Sequence, residues 1–413
     1  MDYDLVIVGG GLVGASLAVA LLPASQRFGW RMAVVEPFPL PAQAAPDFQP
    51  SFDARGTAFS YGTRLLYEEM GVWQALSSQA EPIRHIHVSD QGRYGATRLH
   101  ADEEGVPALG YVVENHWVGQ VLLTHLQQHG GEQLHWYCPA QVEHLQALAG
   151  GMQVQLQDGQ QLRARLVILA DGGRSQLSER LGLEYQESPY HQHALVTTLA
   201  SRQPHQGWAF ERFTGEGPLA LLPLSAYQGQ SRSALVWTTP EELIDERMGW
   251  DDQYFCQQVQ QVFGQRLGRF TQAGERYHYP LKLRVAKEQV RPHLVVLGNA
   301  AHALHPIAGQ GYNLALRGVM ALAEQLIHSH LQGQELGQLS SLQAYLASRQ
   351  QDQWQTIAFS DKVMKLFSNT HPALGLARDL GLVGLNLCSP ARHQLAKAAM
   401  GLQSPLVNLG LPQ

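Results

Sequence analysis

Three stretches of the chain bring together residue types whose spacing could do chemistry. The first is Gly9-x-Gly11-x-x-Gly14, followed 22 residues after Gly14 by an acid, Glu36. Glycines in this pattern let the main chain turn tightly and approach a ligand, and a helix starting there offers unpaired N–H groups to a pyrophosphate. The set that would face the phosphates is Gly9, Gly11, Leu12 and Gly14. An acid at the end of the next strand accepts from ribose hydroxyls and repels a 2′-phosphate, which leaves FAD or NAD. A glycine turn that only packs a helix on a strand would not account for Glu36. The second stretch is ADGGRSQL, Ala170 to Leu177, whose Asp171-Gly172 pair would by itself be an ordinary turn. The third, GNAAHALHPIAGQGYNLALRG, Gly298 to Gly318, mixes two histidines with a proline and four glycines. An unperturbed histidine titrates near neutrality, so His302 and His305 could move protons, but three residues apart on a short turn they more often pack or satisfy backbone groups.

These residues need elements to hold them. Leu5 to Val8 is an apolar β-branched run that breaks at Gly9-Gly10-Gly11, and a helix is expected from there to about Leu22. Met32 to Val35 predicts a second buried strand ending at Glu36, and Pro37 to Asp53 is too rich in proline for regular structure. Thr57 to Met70 and His116 to His129 read as helices, His85 to Ser89 and Thr97 to His100 as strands. A hairpin at Asp158-Gly159 leads into the strand Leu166 to Leu169. Alternating segments at Ala194 to Leu199, Leu219 to Leu224 and Ala234 to Trp237 predict a mostly antiparallel sheet. Leu294 to Leu297 returns to a short buried strand, and helical periodicity then runs to about Leu387, with breaks at Pro372 and Pro390.

The pattern implies an α/β fold: a discontinuous Rossmann-like domain of residues 1–82, 108–184 and 286–370. Into it is inserted a mostly antiparallel β-sheet domain of residues 83–107 and 185–285, and a helical C-terminal region spans 371–413. A net charge of −6, with 45% apolar and 15% charged residues, argues against disorder and against nucleic acid as a partner. Cys138, Cys256 and Cys388 form no metal or redox pattern and are expected as reduced core thiols of a cytoplasmic protein. No HExxH accompanies the scattered histidines, so no metal is expected. The acidic N-terminus lacks the form of a secretory signal, and no run of 18 apolar residues predicts a membrane span.

Taken together and in this order, the three motifs resemble those of the FAD-dependent aromatic hydroxylases, the p-hydroxybenzoate hydroxylase-like flavoprotein monooxygenases, over nearly the whole chain. The resemblance implies that Gly298 and Asn299 hold the ribityl chain, that Asp171 and Gly172 lie beside FAD and the nicotinamide route, that Arg55 in FDARG lies near the cofactor phosphates, and that Gln120, less closely matched, contacts the nucleotide end. It places Pro306, Gly309, Gln310, Gly311, Tyr312 and Asn313 around the flavin ring, with a helix N-terminus aimed at its negative charge. The absence of a second GxGxxG fits NAD(P)H as a transient co-substrate rather than a separately housed one.

A finer resemblance, carried by FDARGTAFSYGT, MGVW, VSDQGRYG, AFERFTGEGPLALLPLS and the asparagine at 299, is to the ring hydroxylases of ubiquinone biosynthesis. It implies O2 and a polyprenylated phenol, 2-octaprenyl-6-methoxyphenol before others, as substrates. Hydroxylation would proceed through a flavin C4a-hydroperoxide, so the protein needs little side-chain chemistry of its own. His305 and Pro306 are the candidates beside the reacting atoms, and Leu221, Pro223 and Tyr279 the candidate substrate floor, with sheet core as the competing reading for the last three. Pro372 to Leu402 reads as helical: either packed on the FAD domain, or meeting a membrane surface or a quinone-biosynthesis partner. Rival readings are an oxygen-independent flavin dehydrogenase or prenyl reductase, and a non-enzymatic flavin-bound subunit of a quinone-biosynthesis assembly.

Overall fold

The N-terminal apolar run becomes the strand Tyr3–Val8, fully buried from Leu5 to Ile7 and flanked on both sides by parallel neighbours. In the computed structural model, which describes residues 1–40, 55–367, 372–403 and 407–410, that strand lies inside an eight-stranded sheet. The parallel order is Leu294–Val296, Gln161–Leu169, Tyr3–Val8, Met32–Val35 and Leu134–Tyr137. Strands covered on both faces need apolar side chains in both directions, which is why these segments read as continuous runs and not as alternation. Helices Leu12–Phe28, Asn115–His129 and Gln310–Leu331 supply the core on one face, built around Leu17, Leu21, Leu122 and Leu322. The hairpin of Val142–Leu148 and Gly151–Leu156 covers part of the other face.

A second sheet of nine strands joins His85–Asp90 and Ala96–His100 to the long strands Tyr185–Ser201, Gly217–Tyr227, Gln230–Pro240 and Tyr277–Ala286. Its pairings are antiparallel except Trp208–Thr214 with His85–Asp90. One face is closed by the helices Ile244–Gly249 and Asp252–Phe263 over Leu195, Leu221, Trp237, Phe255 and Phe263. The other face turns toward the glycine-rich ends of the first sheet. A small third sheet, Gly56–Ser60, Gly110–Glu114 and Glu81–Ile83, lies between them.

Several local expectations change. The helix expected from Thr57 begins only at Tyr61, because Gly56–Ser60 pairs with Gly110–Glu114 and Ser60 then caps the helix, its Oγ accepting from Thr63 N at 3.2 Å. The first helix continues past Leu22 to Phe28, since Pro23 points to solvent while Leu21, Leu22 and Ala24 around it stay in the core. Of the three cysteines only Cys256 is buried; Cys138 is half-buried and Cys388 is exposed at the start of the last helix. Most of the proline-rich loop falls outside the described residues.

The C-terminal helix Pro372–Leu387 packs on the second sheet rather than on the first. Arg378 Nε meets Asp90 Oδ2 at 3.0 Å in a buried ion pair, Asp379 Oδ1 accepts from Gly95 N at 3.2 Å, and Thr97 Oγ1 donates to the Leu382 carbonyl at 2.7 Å. Arg378 and Asp379 thereby fasten the helix to the edge of the sheet. Ser389–Ala399 follows, with Ala396 and Met400 against Leu99 and Leu109.

Candidate functional site

A cavity of about 1580 Å³ opens between the two sheets, and residues from all three sequence motifs line it. Its first end is main chain. Gly9, Gly11 and Leu12 lie there because the strand Tyr3–Val8 must reverse into a helix, and Gly9 does so at φ +102°. Gly11 is the N-cap of that helix, with no side chain satisfying the first N–H groups and no acid in the first turn. A second helix N-terminus reaches the same cavity at Gln310, after Gly309 at φ +61°, again without a side-chain cap or an acid in its first turn. Two uncapped termini on one cavity are two anion-attracting ends.

Acids and amides stand between them. Glu36 is buried at the cavity wall, its Oε2 accepting from Gly10 N at 2.7 Å and its Oε1 from Phe38 N at 3.1 Å. Burial raises its pKa, and those two N–H groups partly counter the rise. Asp171 lines the cavity and also builds its own turn, accepting from Gly173 N at 2.9 Å and Ser175 N at 3.1 Å. Asn299 is exposed to the cavity, and no described residue bonds its amide. Asn313 is the opposite case: its amide accepts from Ser60 N and Thr63 Oγ1 and donates to the carbonyls of Ala58 and Gly309, which uses its full capacity to pin the second helix start. Tyr312 stacks on Phe59 at 5.6 Å and bonds Ser16 and Tyr67, and burial pushes its pKa up to about 12.

Arg55, Gly172, Pro306, Gln310, Gly311 and Tyr279 also line the cavity. Gly14, Gln120, Gly298, His302, His305, Leu221 and Pro223 are not part of its lining. Gly14 acts from behind, where a Cβ would sit 1.9 Å from the Gly9 carbonyl oxygen. Gly298 takes φ +62° against Val13 and shapes the turn that carries Asn299. Gln120 is exposed farther along its helix; the residue at the cavity is Asn115, the first of that helix, whose Oδ1 accepts from Thr57 Oγ1 at 2.6 Å. Leu221 and Pro223 fail by strand alternation, since Ala220 and Leu222 turn to the cavity and Leu221 turns into the helix-covered core.

The histidines are core residues. His305 is 1% exposed, its ring packs edge-on to Tyr190 at 5.3 Å, and neither ring nitrogen has a partner among the described residues. Burial lowers its pKa to about 4, as it does for His302, so both rings are neutral at pH 7. Pro306 alone of the two catalytic candidates reaches the cavity.

Sequence reading missed the far half of the site. The cavity runs past the sheet floor of Ala220, Leu222 and Val236 into an arm between Leu339–Phe367 and Pro372–Leu387, lined by Phe359, Val363, Leu366, Phe367, Leu382 and Leu385. No short motif marks such an arm. Glu211 on the sheet floor was missed as well, because a single acid in a strand carries no spacing signal.

The donor set fits a flavin dinucleotide: uncapped N–H groups at two helix starts, glycines at the approach points, and the unpaired Asn299 amide between them. Among the described residues no cluster of three metal-ligating side chains occurs, and no helix is long and apolar enough to cross a membrane.

Known proteins point the same way. Residues 2–360 match the family described as FAD binding domain. The ubiquinone hydroxylase UbiL of Rhodospirillum rubrum is 34% identical over 99% of this chain and 93% of its own length. The 3-demethoxyubiquinol 3-hydroxylase of Escherichia coli is 31% identical over 97% of this chain and 98% of its own. In fold, the p-nitrophenol 4-monooxygenase of Pseudomonas putida superposes with a TM-score of 0.76 over 97% of this chain and 98% of that one, at 17% identity.

Proposed function

The chain belongs to the FAD binding domain family, and from that premise we propose that it hydroxylates the ring of a polyprenylated phenol in ubiquinone biosynthesis, using NAD(P)H and O2. The observation that carries the substrate class is the arm beyond the sheet floor. A small phenol would leave that apolar space filled with water, whereas a prenyl tail buries against Val363, Leu366, Phe367, Leu382 and Leu385 at roughly 25 cal/mol per Å². The arm reaches the surface where Phe359 and Leu366 are each 40% exposed, so a long tail need not fit wholly inside.

In this reading the main chain from Gly9 to Leu12 holds the pyrophosphate, Glu36 and Arg55 the nucleotide end, and Asn299 a ribityl hydroxyl. Pro306 and the helix start at Gly309–Asn313 border the isoalloxazine. The bound flavin supplies the reduced, oxygen-activating centre. The protein orients the phenol over it from the sheet floor, with Tyr279 at one side, and shuts out water through the apolar lining. The division of labour keeps the boundaries given above for the cofactor, residues 1–82, 108–184 and 286–370, and for the substrate ring, 83–107 and 185–285, while the tail draws on both Leu339–Phe367 and the helical C-terminal region.

We propose 2-octaprenyl-6-methoxyphenol as the substrate within this class. We also assign a surface role to the last helices: Leu380, Val383 and Leu387 are exposed on one side of Pro372–Leu387, and Phe359, which lines the arm, is itself 40% exposed. Such a face suits peripheral contact with the inner membrane, or with a partner that hands over a lipid-soluble substrate. The test is to purify the protein, record flavin absorbance, and follow NAD(P)H and O2 consumption with a prenylphenol. Product carrying one new ring oxygen is expected. Flavin reduction with no oxygen entering the ring would sink the hydroxylase reading and favour a dehydrogenase or reductase.

A further inference from the structure

The nine-stranded sheet presents an aliphatic face to the cavity at its centre, with one exception. In register across that face lie Val88, Glu211, Ala220, Val236 and Val196, so the side chain of Glu211 rises from a floor of small apolar groups. Among the described residues nothing donates to its carboxylate and no cation pairs with it. What surface it keeps opens into the cavity that Pro306 and Gly309 also line. An unpartnered carboxyl in such a setting costs the fold free energy and contributes nothing to packing, which marks it as kept for a ligand.

We propose that Glu211 is a catalytic residue that receives the ring hydroxyl of the phenol substrate. The inference rests on the ring-hydroxylase reading and assigns it a base. The step moves one proton: the phenol O–H bond breaks, the proton passes to a Glu211 oxygen, and the electron pair stays on the ring oxygen as phenolate. Electron density pushed into the ring makes the carbon ortho or para to that oxygen the nucleophile that hydroxylation requires. When the ring later regains aromaticity as a dihydroxy product, the proton on the hydroxylated carbon leaves to the oxygen anion freed as the O–O bond breaks, and the carboxylic acid returns its own proton to the phenolate oxygen, so Glu211 ends as it began.

Burial raises the Glu211 pKa to about 7, where a carboxylate is a stronger base than usual yet remains ionised in half the molecules at neutral pH. Other titratable or charged groups around the cavity are Glu36, Asp171, Arg174 and Tyr312 at the cofactor end, and Arg55, Lys282, Glu275, Tyr277, Tyr279 and Arg378, the last bonded to Asp90. Arg212, His87, Arg98 and Arg266 cluster together behind the floor, and burial there keeps His87 neutral with its pKa down to about 4. The rise in the Glu211 pKa comes from burial, with no charged neighbour among its causes.

The holoenzyme tests this with Glu211→Leu and Glu211→Gln. Because its neighbours are aliphatic, Glu211→Leu should keep its flavin and melt at or above the parent temperature at pH 8. The parent should bind a short-tailed prenylphenol at least ~10-fold more tightly than the O-methyl ether of the same ring, which has no proton to give. Glu211→Leu should bind the two alike. With oxygen and NAD(P)H, kcat of the parent should rise with pH through about 7; Glu211→Gln should lose that limb and fall ~10²–10⁴-fold. Equal phenol and ether binding by the parent, or discrimination that survives in Glu211→Leu, overturns the proposal. So does a Glu211→Gln kcat within a few-fold of the parent. Absence of any hydroxylated product from the parent would instead defeat the ring-hydroxylase reading, while the binding comparison still reads Glu211 by itself.

Discussion

At the end of the cavity bounded by Gly9, Gly11 and Gly309 the wall is main chain; at the end bounded by Phe367, Leu382 and Leu385 it is aliphatic and aromatic side chain. The first end is built to tolerances of tenths of an ångström. A Cβ at Gly14 would meet the Gly9 carbonyl at 1.9 Å, and one at Gly9 would meet the Ala170 carbonyl oxygen at 2.6 Å. The second end is held by side-chain contacts, such as the Phe213–Phe367 stack that fixes the end of Leu339–Phe367 to the sheet and the Arg378–Asp90 pair that clamps Pro372–Leu387 to it. The difference teaches how one cavity can serve two ligands. Directional N–H groups on rigid turns recognise one fixed, anionic molecule, and non-directional apolar surface accepts a flexible tail whose length matters little.

The largest effect should come from attacking the rigid end. Gly14→Val places side-chain carbon inside the van der Waals shell of a carbonyl that cannot move without breaking the central strand. Overpacking against flexible neighbours costs about 1–3 kcal/mol, and backbone against backbone should exceed that. The expected result is a protein with no flavin absorbance and no cooperative thermal transition. A yellow, normally melting Gly14→Val protein would show that this end is not rigid, and the contrast would collapse.

Acid should separate the histidines of the third motif from the chemistry around them. His305 has a folded-state pKa of about 4 against about 6.5 when unfolded, so the unfolded chain binds the extra proton between those values. Its contribution is full above about pH 6.5 and is lost as pH falls toward 4, a loss of roughly 3 kcal/mol. His305→Phe should therefore flatten the fall in melting temperature between pH 6.5 and 4 while retaining hydroxylation at pH 7.5. Complete loss of hydroxylation with flavin bound would return His305 to the catalytic machinery.

This division also explains what could be read from the sequence. The rigid end was legible because directional recognition forces glycines and acids into fixed spacing: Gly9, Gly11, Glu36, Asp171, Asn299 and Gly309 all reach one cavity. The apolar end was not, because any aliphatic residue can fill it and no spacing is enforced. The parallel strands were legible as unbroken apolar runs, whereas Gly56–Ser60 was lost to a helix reading since its pairing partner lies about fifty residues away at Gly110–Glu114. Leu221 and Pro223 show a third kind of failure. The strand was found, but which of its faces is covered depends on Asp252–Phe263, a helix that follows the strand in sequence and packs on it from a distance. His305 was over-read for a related reason: sequence shows a titratable ring but not the Tyr190 packing that strips it of water.

A smaller change probes the adjustable end. Leu385 is half-buried on the arm, so Leu385→Asp leaves the helix free to turn the new carboxylate partly toward solvent. A long-tailed substrate would then have to bury its tail against a charge or leave it out, at a cost of about 1–3 kcal/mol, or roughly 10- to 100-fold in KM. A phenol with a one-prenyl tail, which ends before the arm, should show little change in either KM or kcat. Equal loss for both substrates would mean that the arm supports the fold and not the tail.

The finest test returns to the boundary between the two ends. A Cβ on Gly311 would meet nothing within 4 Å in the protein, although the residue lies in the first turn of Gln310–Leu331 and lines the cavity. On protein contacts alone, Gly311→Ala should stabilise the chain by about 0.5–1 kcal/mol, because alanine loses less freedom in a helix than glycine. If a flavin ring approaches that helix start, the added methyl group meets the ring instead, and flavin should dissociate more readily even as the apoprotein melts higher. Opposite signs for apoprotein stability and flavin retention are expected, measured by thermal unfolding before and after removal of the flavin. At Gly14 both should fall together. A glycine kept for the fold and a glycine kept for a ligand are thereby told apart by sign, even where the magnitude at Gly311 is the smallest of the set.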